Sequence, residues 1–436
     1  MSRQFEGKRH LSGGFPQEIP LIQEAIGRLL GRPEFAPPLE GVAAPVVELA
    51  TPELLHLSLC QTSHEPLPLR VSVGDEVVAG QPLAGDDAAG VLLPSPVAGT
   101  VVSVSELAHL RGGRKGDAVD LRPAGGAQAP AFAPLDPRGA EPAELAARLR
   151  EAGVLSSDRS PRPLQAELEG PAETLVVLAA DRDPGVSVAL QLLAERGQDV
   201  CPAAALLARI CGARRIVVAL LEQQVAAFQA AEGVELLPLP ARYPKTLPAM
   251  VARRLGGGAG LRIVPLESAL AALDAVRLGQ VQARKLVTLI GPDQRPVANS
   301  RVMLGTPLAA LLAHAGIEVS ERDKVIAGGP MRGFAQWSLD GVVDAGLDAL
   351  TVIRAGTYPD WTAEPCVNSG RCIDICPVDL QVQLIGRYAE FELFDQTAEL
   401  GIDQCFECGL CAAVCTARRP LLQYIRLAKA GLEASA

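Results

Sequence analysis

A chain of 436 residues with a formal net charge of −10 is too long for one ordinary core, so roughly two to four domains are expected. The acidic balance argues against a nucleic-acid-binding surface, because neutralising phosphates takes clustered Lys and Arg. No run of about 18 or more apolar residues occurs, so no membrane span is predicted, and the opening MSRQFEGKRHLSGGFPQEIP lacks the apolar stretch of a secretory signal; the expected setting is cytoplasmic, where cysteines are not read as disulfides.

Residues 1–42 read as a Pro- and Gly-punctuated arm with one helix near 17–30. Residues 43–125 read as short strands and turns. There 71-VSVGDEVVAGQPLA-84 alternates apolar and polar residues around Gly-Asp and Ala-Gly turn signals, and 93-LPSPVAGTVVSV-104 follows. The pairing resembles the hairpins of lipoyl and biotinyl carriers, which implies a barrel-sandwich fold. Such carriers attach their group to a Lys at a hairpin tip; no Lys lies between Arg70 and Arg114, so a structural sandwich is expected and a swinging arm is excluded.

Residues 126–140, rich in Ala, Pro and Gly, read as a linker. Over 141–265, apolar runs of strand type alternate with helical periods. 174-TLVVLAA-180 and 215-RIVVAL-220 are predicted as buried strands, 186-VSVALQLLAERG-197 as a helix ending at Gly197, and a second helix follows from Gln224. This is the βαβ pattern of a parallel sheet. Residues 280–355 return to short strands, at 286–291, 301–305, 324–329 and 350–353, around a helix from Pro307 to Gly316, which reads as a small α+β module. Residues 356–436 read as helices with cysteine loops.

Seven of the ten cysteines fall between 366 and 415. Cys60, Cys201 and Cys211 lie among apolar neighbours and read as small buried side chains. The run 405-CFECGLCAAVC-415 has the C-x2-C-x2-C-x3-C spacing of bacterial iron–sulfur ferredoxins, in which the last cysteine serves the other cluster of a pair. The run 366-CVNSGRCIDIC-376 keeps the rhythm but has Ser369 in place of its second cysteine. Crossed ligation then assigns Cys376, Cys405, Cys408 and Cys411 to one four-iron cluster. Cys366, Cys372 and Cys415 go to the other, with Ser369 at the vacant corner. Zinc fits this double cadence poorly, since zinc sites pair two C-x2-C knuckles across a longer insert. An alkoxide is harder than a thiolate and suits iron–sulfur sites less well. Three outcomes are open for the Ser369 cluster: three irons, four irons with serine or water at one, or a labile site. The expectation is that it is the less stable of the two and is isolated with three irons.

With its parts in this order, the chain resembles the RnfC family, the peripheral subunits of Rnf ion-translocating electron-transport complexes. The resemblance rests on 13-GGFP-16, 74-GDEVVAGQPLA-84, 94-PSPVAGTV-101, 242-RYPK-245, 304-LGTPLAALLAHAGI-317, 324-KVIAGGPMRGFA-335, the double cysteine run and 420-PLLQYIRLAKA-430. It implies a multidomain α/β and α+β chain. The parts would be a barrel-sandwich hybrid, a parallel α/β domain like the flavin-binding subunit of complex I, a β-grasp (SLBB-like) module, and a helical two-cluster ferredoxin domain. It further implies an iron–sulfur electron-transfer subunit, peripheral on the cytoplasmic face of the bacterial inner membrane. Its partners would be the other subunits of the complex, with a ferredoxin or flavodoxin as candidate donor.

Family members oxidise NADH at a bound FMN, using a G-L-G-G-A-G-F-P-T loop whose glycines let backbone N–H groups approach phosphate. Here the matching place reads 151-EAGVLSSDRSPRPLQAEL-168, stiffened by Pro161 and Pro163, and the family's N-G-A-E-C-E-P-Y becomes 179-AADRDPGV-186. FMN binding and NADH oxidation are therefore expected to be lost, and Asp181, Arg182 and Asp183 read as solvated charges at a strand end. The alternatives are a true NADH/FMN dehydrogenase subunit with a divergent loop, and a scaffold whose clusters are structural.

Overall fold

The computed structural model describes residues 39, 44–60, 65–111, 114–125, 130–358, 361–362 and 364–435. The N-terminal arm, with its expected helix over 17–30 and its GGFP motif, lies outside these residues. The described chain divides into two compact units, a larger one that runs to residue 360 and takes in 406–409, and a smaller one made of the remainder of the C-terminal region.

Three sheets and a hairpin form the larger unit. Its strands are β1 (Val46–Glu48), β2 (Leu55–Ser58), β3 (Glu76–Val77), β4 (Pro82–Asp86), β5 (Val91–Pro94), β6 (Gly99–Ala108), β7 (Lys115–Pro123), β8 (Thr174–Ala179), β9 (Arg215–Leu221), β10 (Val234–Leu239), β11 (Leu261–Pro265), β12 (Arg284–Ile290), β13 (Pro296–Met303), β14 (Lys324–Ala327), β15 (Phe334–Gln336) and β16 (Ala349–Ile353). Its helices are α1 (Pro142–Glu151), α2 (Leu164–Glu167), α3 (Val188–Cys211), α4 (Glu222–Val225), α5 (Pro248–Arg254), α6 (Leu266–Arg277) and α7 (Leu308–His314).

The α/β sheet has the order β10-β9-β8-β11, with every pairing parallel. Its side chains alternate in direction, as a period of two requires. Leu175, Val177 and Ala179 of β8 enter the core that includes α3 and α6, while Val176 and Leu178 enter a second core with Val217, Ala219 and Val251. Both faces are thus covered, which is why β8 and β9 are continuous apolar runs.

Helix α3 does not stop at Gly197. It runs Val188–Cys211 with a kink at Arg196 (φ −131°, ψ 26°) and ends at Gly212, which is left-handed (φ 71°). The apolar stripe continues through Val200, Ala203, Ala204 and Leu207, and Arg196 bridges Asp199 and Asp274 at 2.9 and 2.7 Å. Packing on both sides of the kink outweighs the local preference of one glycine. The helix expected from Gln224 shortens to α4, and β10 follows Gly233 (φ 80°).

The sandwich region forms the antiparallel sheet β2-β7-β6-β3 and the hairpin β4-β5 around Leu55, Leu57, Leu83, Val101, Val119 and Leu121. At the hairpin tip Asp86 accepts from the N–H groups of Ala88 and Ala89 at 2.9 and 3.1 Å. The third sheet has the order β1-β13-β12-β16-β14-β15, with α7 packed on it through Leu308, Leu311 and Leu312. Its β1 comes from the span expected in the sandwich. It pairs parallel with β13, and Glu48 holds Arg301 at 2.8 Å and Arg284 at 3.1 Å. The end of the expected linker is also packed: Ala131 and Phe132 donate to the Gly279 carbonyl at 2.9 and 3.0 Å, and Arg148 lies 5.1 Å over the Phe132 ring. Cys60, Cys201 and Cys211 are buried, as the sequence suggests.

Candidate iron–sulfur centre

The smaller unit is built from α8 (Arg371–Asp374), α9 (Val382–Glu390), α10 (Phe394–Glu399), a 3-10 turn (Ile402–Gln404), α11 (Leu410–Ala413) and α12 (Leu421–Ser435). Helix α9 buries Val382, Ile385, Gly386 and Ala389, the spacing of one helical face. A side chain at Gly386 would press on Leu421 at 3.0 Å, so glycine there permits close approach of α9 and α12. Cys372 and Cys411 belong to this core, and Cys376, Cys405 and Cys415 pack against it. Cys366 is exposed and Cys408 is buried.

The two cysteine runs repeat each other in backbone conformation. Two residues after Cys366 and Cys405 stand Asn368 (φ 52°) and Glu407 (φ 56°), both left-handed; four residues after them stand Gly370 (φ 74°) and Gly409 (φ 77°). Each glycine opens a four-residue helix, α8 or α11, carrying the third cysteine position. Three residues after Cys376 and Cys415 come Asp379 (φ 55°) and Arg418 (φ 49°). One residue further, Leu380 and Arg419 donate their backbone N–H groups to the Cys376 and Cys415 sulfurs at 3.5 and 3.4 Å. Asn368 donates to the Cys366 Sγ at 3.4 Å. Sequence reasoning picks out the cysteines but misses these left-handed residues; besides the two glycines, Asn368 and Asp379 are of the types that tolerate this conformation best, whereas Glu407 and Arg418 carry no such signal.

Cys366, Ser369, Cys372 and Cys415 line one cavity of ≈ 110 Å³, whose wall also carries Thr416 and Arg419. That is several times the volume one water occupies. Burial, with Cys415 and Cys366 nearby, pushes the Cys372 thiol up to about 11. Arg419 is buried, donates to the Glu364 carbonyl at 3.0 Å, pairs with Glu390 and lies 5.3 Å from the Tyr424 ring centre. Among the described residues no three His, Cys, Asp or Glu side chains are gathered tightly enough for a single metal ion. A mononuclear zinc site draws its ligands to within about 2.0–2.3 Å of one point. Cys366, Cys372 and Cys415 instead border the larger cavity.

The tip Phe406–Gly409 of the second run groups with the larger unit. There the Tyr243 hydroxyl donates to the Cys408 carbonyl and Arg159 pairs with Glu407. Burial raises the Tyr243 pKa well above its usual range, so the phenol stays a donor. The RYPK motif contributes to the resemblance without a role; its tyrosine anchors a cysteine loop.

The strand end beyond β8 differs from the solvated one expected. Asp181, Arg182 and Asp183 are 7, 8 and 3 % exposed. Asp181 accepts from the Ala189 and Leu190 N–H groups at 2.8 and 3.1 Å, capping the first turn of α3. Asp183 accepts from Met331 and Arg332 N–H at 3.0 and 2.9 Å. Arg182 pairs with Asp158 at 3.0 Å. The three are buried because each saturates backbone or charged partners, which offsets the cost of leaving water. The segment in place of the glycine loop is pinned: Ser156 N–H donates to the Arg162 carbonyl at 2.8 Å, Leu164 N–H to the Val154 carbonyl at 2.9 Å, and Ser157 N–H to the Ser268 hydroxyl at 2.7 Å.

Comparison with known proteins bears on the same region. A family model described as a 4Fe-4S dicluster domain matches residues 361–416. The RnfC protein of the ion-translocating oxidoreductase complex of Rhodobacter capsulatus is 29% identical over 412 residues, covering 87% of this chain and 78% of that protein. The chain resembles RnfC over most of its length. The corresponding proteins of Pseudomonas aeruginosa (29% identical) and Erwinia tasmaniensis (28%) are matched over 83% and 89% of this chain, and the chain spans only 50% and 51% of their lengths. Among solved structures, a chain of an NAD+-reducing [NiFe]-hydrogenase in the H2-reduced state superposes with TM-score 0.44 at 15% identity, covering 67% of this chain and 62% of that one.

Proposed function

We propose that this protein is the iron–sulfur electron-transfer subunit of a membrane-associated Rnf-type oxidoreductase complex. The observation that carries the reading is the repeated backbone conformation of the two cysteine loops; Cys366, Cys376 and Cys415 accept backbone N–H groups, and five of the seven cysteines lie in or against the core of the smaller unit. One cluster is assigned to Cys376, Cys405, Cys408 and Cys411, and a second to Cys366, Cys372 and Cys415. Such clusters supply one-electron transfer at a potential set by net charge, burial and hydrogen bonds to sulfur. The residues here do the tuning: Asn368, Leu380 and Arg419 N–H groups stabilise thiolate charge, and Lys429 and Tyr243 hold the Cys405 and Cys408 carbonyls.

The chain is proposed to lack a flavin site of its own. Asp181 already occupies the first-turn amides of α3, the place where a helix best receives a phosphate. Electrons then come from a ferredoxin, a flavodoxin or a partner subunit. No helix among the described residues is long and apolar enough to cross a membrane. Attachment through the other subunits, on the cytoplasmic face, is the proposed arrangement. Iron, sulfide and flavin are to be quantified on anaerobically purified protein, followed by an EPR-monitored redox titration. Two reducible clusters and no flavin are expected; a folded, iron-free protein, or one binding zinc instead, would overturn the reading.

A further inference from the structure

Ser369 and Cys408 stand between matching left-handed residues, at φ 52° and 74° in the first loop and 56° and 77° in the second. The backbone therefore presents residue 369 at the corner of its loop that Cys408 holds in the other. The cavity in the smaller unit agrees with that placement, since Ser369 shares its wall with Cys366, Cys372 and Cys415. The chemistry at that corner is different. The Ser369 hydroxyl oxygen accepts a hydrogen bond from the Thr416 hydroxyl at 3.2 Å, which engages one of its two lone pairs. A neutral hydroxyl is a poor ligand for iron in a sulfide-rich cluster, where thiolate is the soft donor of choice. Both Ser369 and Thr416 are exposed, so solvent reaches this corner.

Resting on the cluster reading above, we infer that the cluster held by Cys366, Cys372 and Cys415 keeps a fourth corner at Ser369 that no side chain ligates and that accepts a small soluble thiolate. Arg419 lines the same cavity, with its guanidinium committed to Glu390 and the Glu364 carbonyl. Entry of the ligand is a substitution: a sulfur–iron bond forms as a water leaves, the thiol's proton passes to buffer, and no electron moves.

The experiment uses the anaerobically purified full chain, native and as Ser369→Ala and Ser369→Cys, reduced with dithionite and titrated with 2-mercaptoethanol, with a parallel unreduced sample exposed briefly to oxidant. EPR and iron content are read at each stage. In native protein and Ser369→Ala, thiol is expected to shift the signal of one cluster only. Oxidation without thiol should release about one iron per chain and produce a three-iron signal. Ser369→Cys should show no thiol shift and keep that iron. Loss of iron or signal in Ser369→Ala before any oxidant would make the serine a ligand and overturn the inference. So would a native spectrum that thiol leaves unmoved and oxidant leaves intact, while the cluster at Cys405–Cys411 is still counted. Absence of iron in all three proteins would instead remove the cluster reading itself, and the open corner with it.

Discussion

Cys376 and Cys415 end their runs in the same way, each followed by a left-handed residue three positions on and accepting an N–H from the residue after that. If ligation is crossed, each serves the cluster of the other run. Cys415→Ala should then abolish the EPR signal that responds to thiol, and Cys376→Ala the signal that does not; the reverse assignment would mean that each run binds its own cluster. Asp181 and Asp183 carry a second prediction. Burial pushes both carboxyls up to about 7, against the pull of their backbone donors. In the unfolded chain they titrate near about 3.9, so between about 4 and 7 the folded protein keeps protons that the unfolded chain has released. Their contribution to stability is full below that window and declines as pH rises through it. Urea midpoints should be lower at about pH 7.5 than at about pH 5.5. Asp183→Asn cannot titrate and should flatten part of that decline, at a cost of about 1–3 kcal/mol for a poorly satisfied backbone N–H.

At the scale of elements, β8 and β9 are legible because a strand covered on both faces is apolar throughout, as Thr174–Ala179 and Arg215–Leu221 nearly are. Strands β10 and β11 are not, since Glu235 and Arg262 mix polar residues into half-buried edges. Gly197 misleads because nothing local distinguishes a helix end from a kink clamped by Arg196 across to Asp274. β1 falls in the span expected of the sandwich because its pairing with Asn299–Arg301 joins positions far apart in the chain, beyond any local pattern. The cysteine loops are the most legible elements, because ligand spacing constrains the chain directly. Gly370 tests how much the loop shape itself matters. A Cβ there meets nothing, so Gly370→Ala bears only the backbone cost of a left-handed alanine. That cost is about 1–2 kcal/mol. Iron retention on anaerobic dilution should fall, and at Asn368→Gly, where glycine relaxes the same conformation, it should hold or improve.

For the whole molecule, the order of parts is readable while the fate of the flavin region depends on contacts that sequence does not display. The missing glycines are visible at 151–168; that Asp181 turns back to cap α3, and that Ser157 is tied to Ser268, is not. These contacts predict how electrons enter. Releasing the α3 amides for a phosphate would require the buried Asp181 to leave two backbone donors. The buried Asp181 carboxyl would then be the group left without partners, at a cost of about 1–3 kcal/mol or more, and a phosphate would have to compete with a carboxyl already in place. Anaerobic protein incubated with FMN and then NADH should therefore show no flavin retained after gel filtration and no bleaching of the cluster absorbance. The same protein should bleach on mixing with a reduced ferredoxin or flavodoxin. Asp181→Gly serves as the informative variant: if it retains flavin where the native chain does not, the carboxylate is what closes the site. Retention of FMN and rapid bleaching by NADH in the native protein would instead establish a dehydrogenase subunit with a divergent loop.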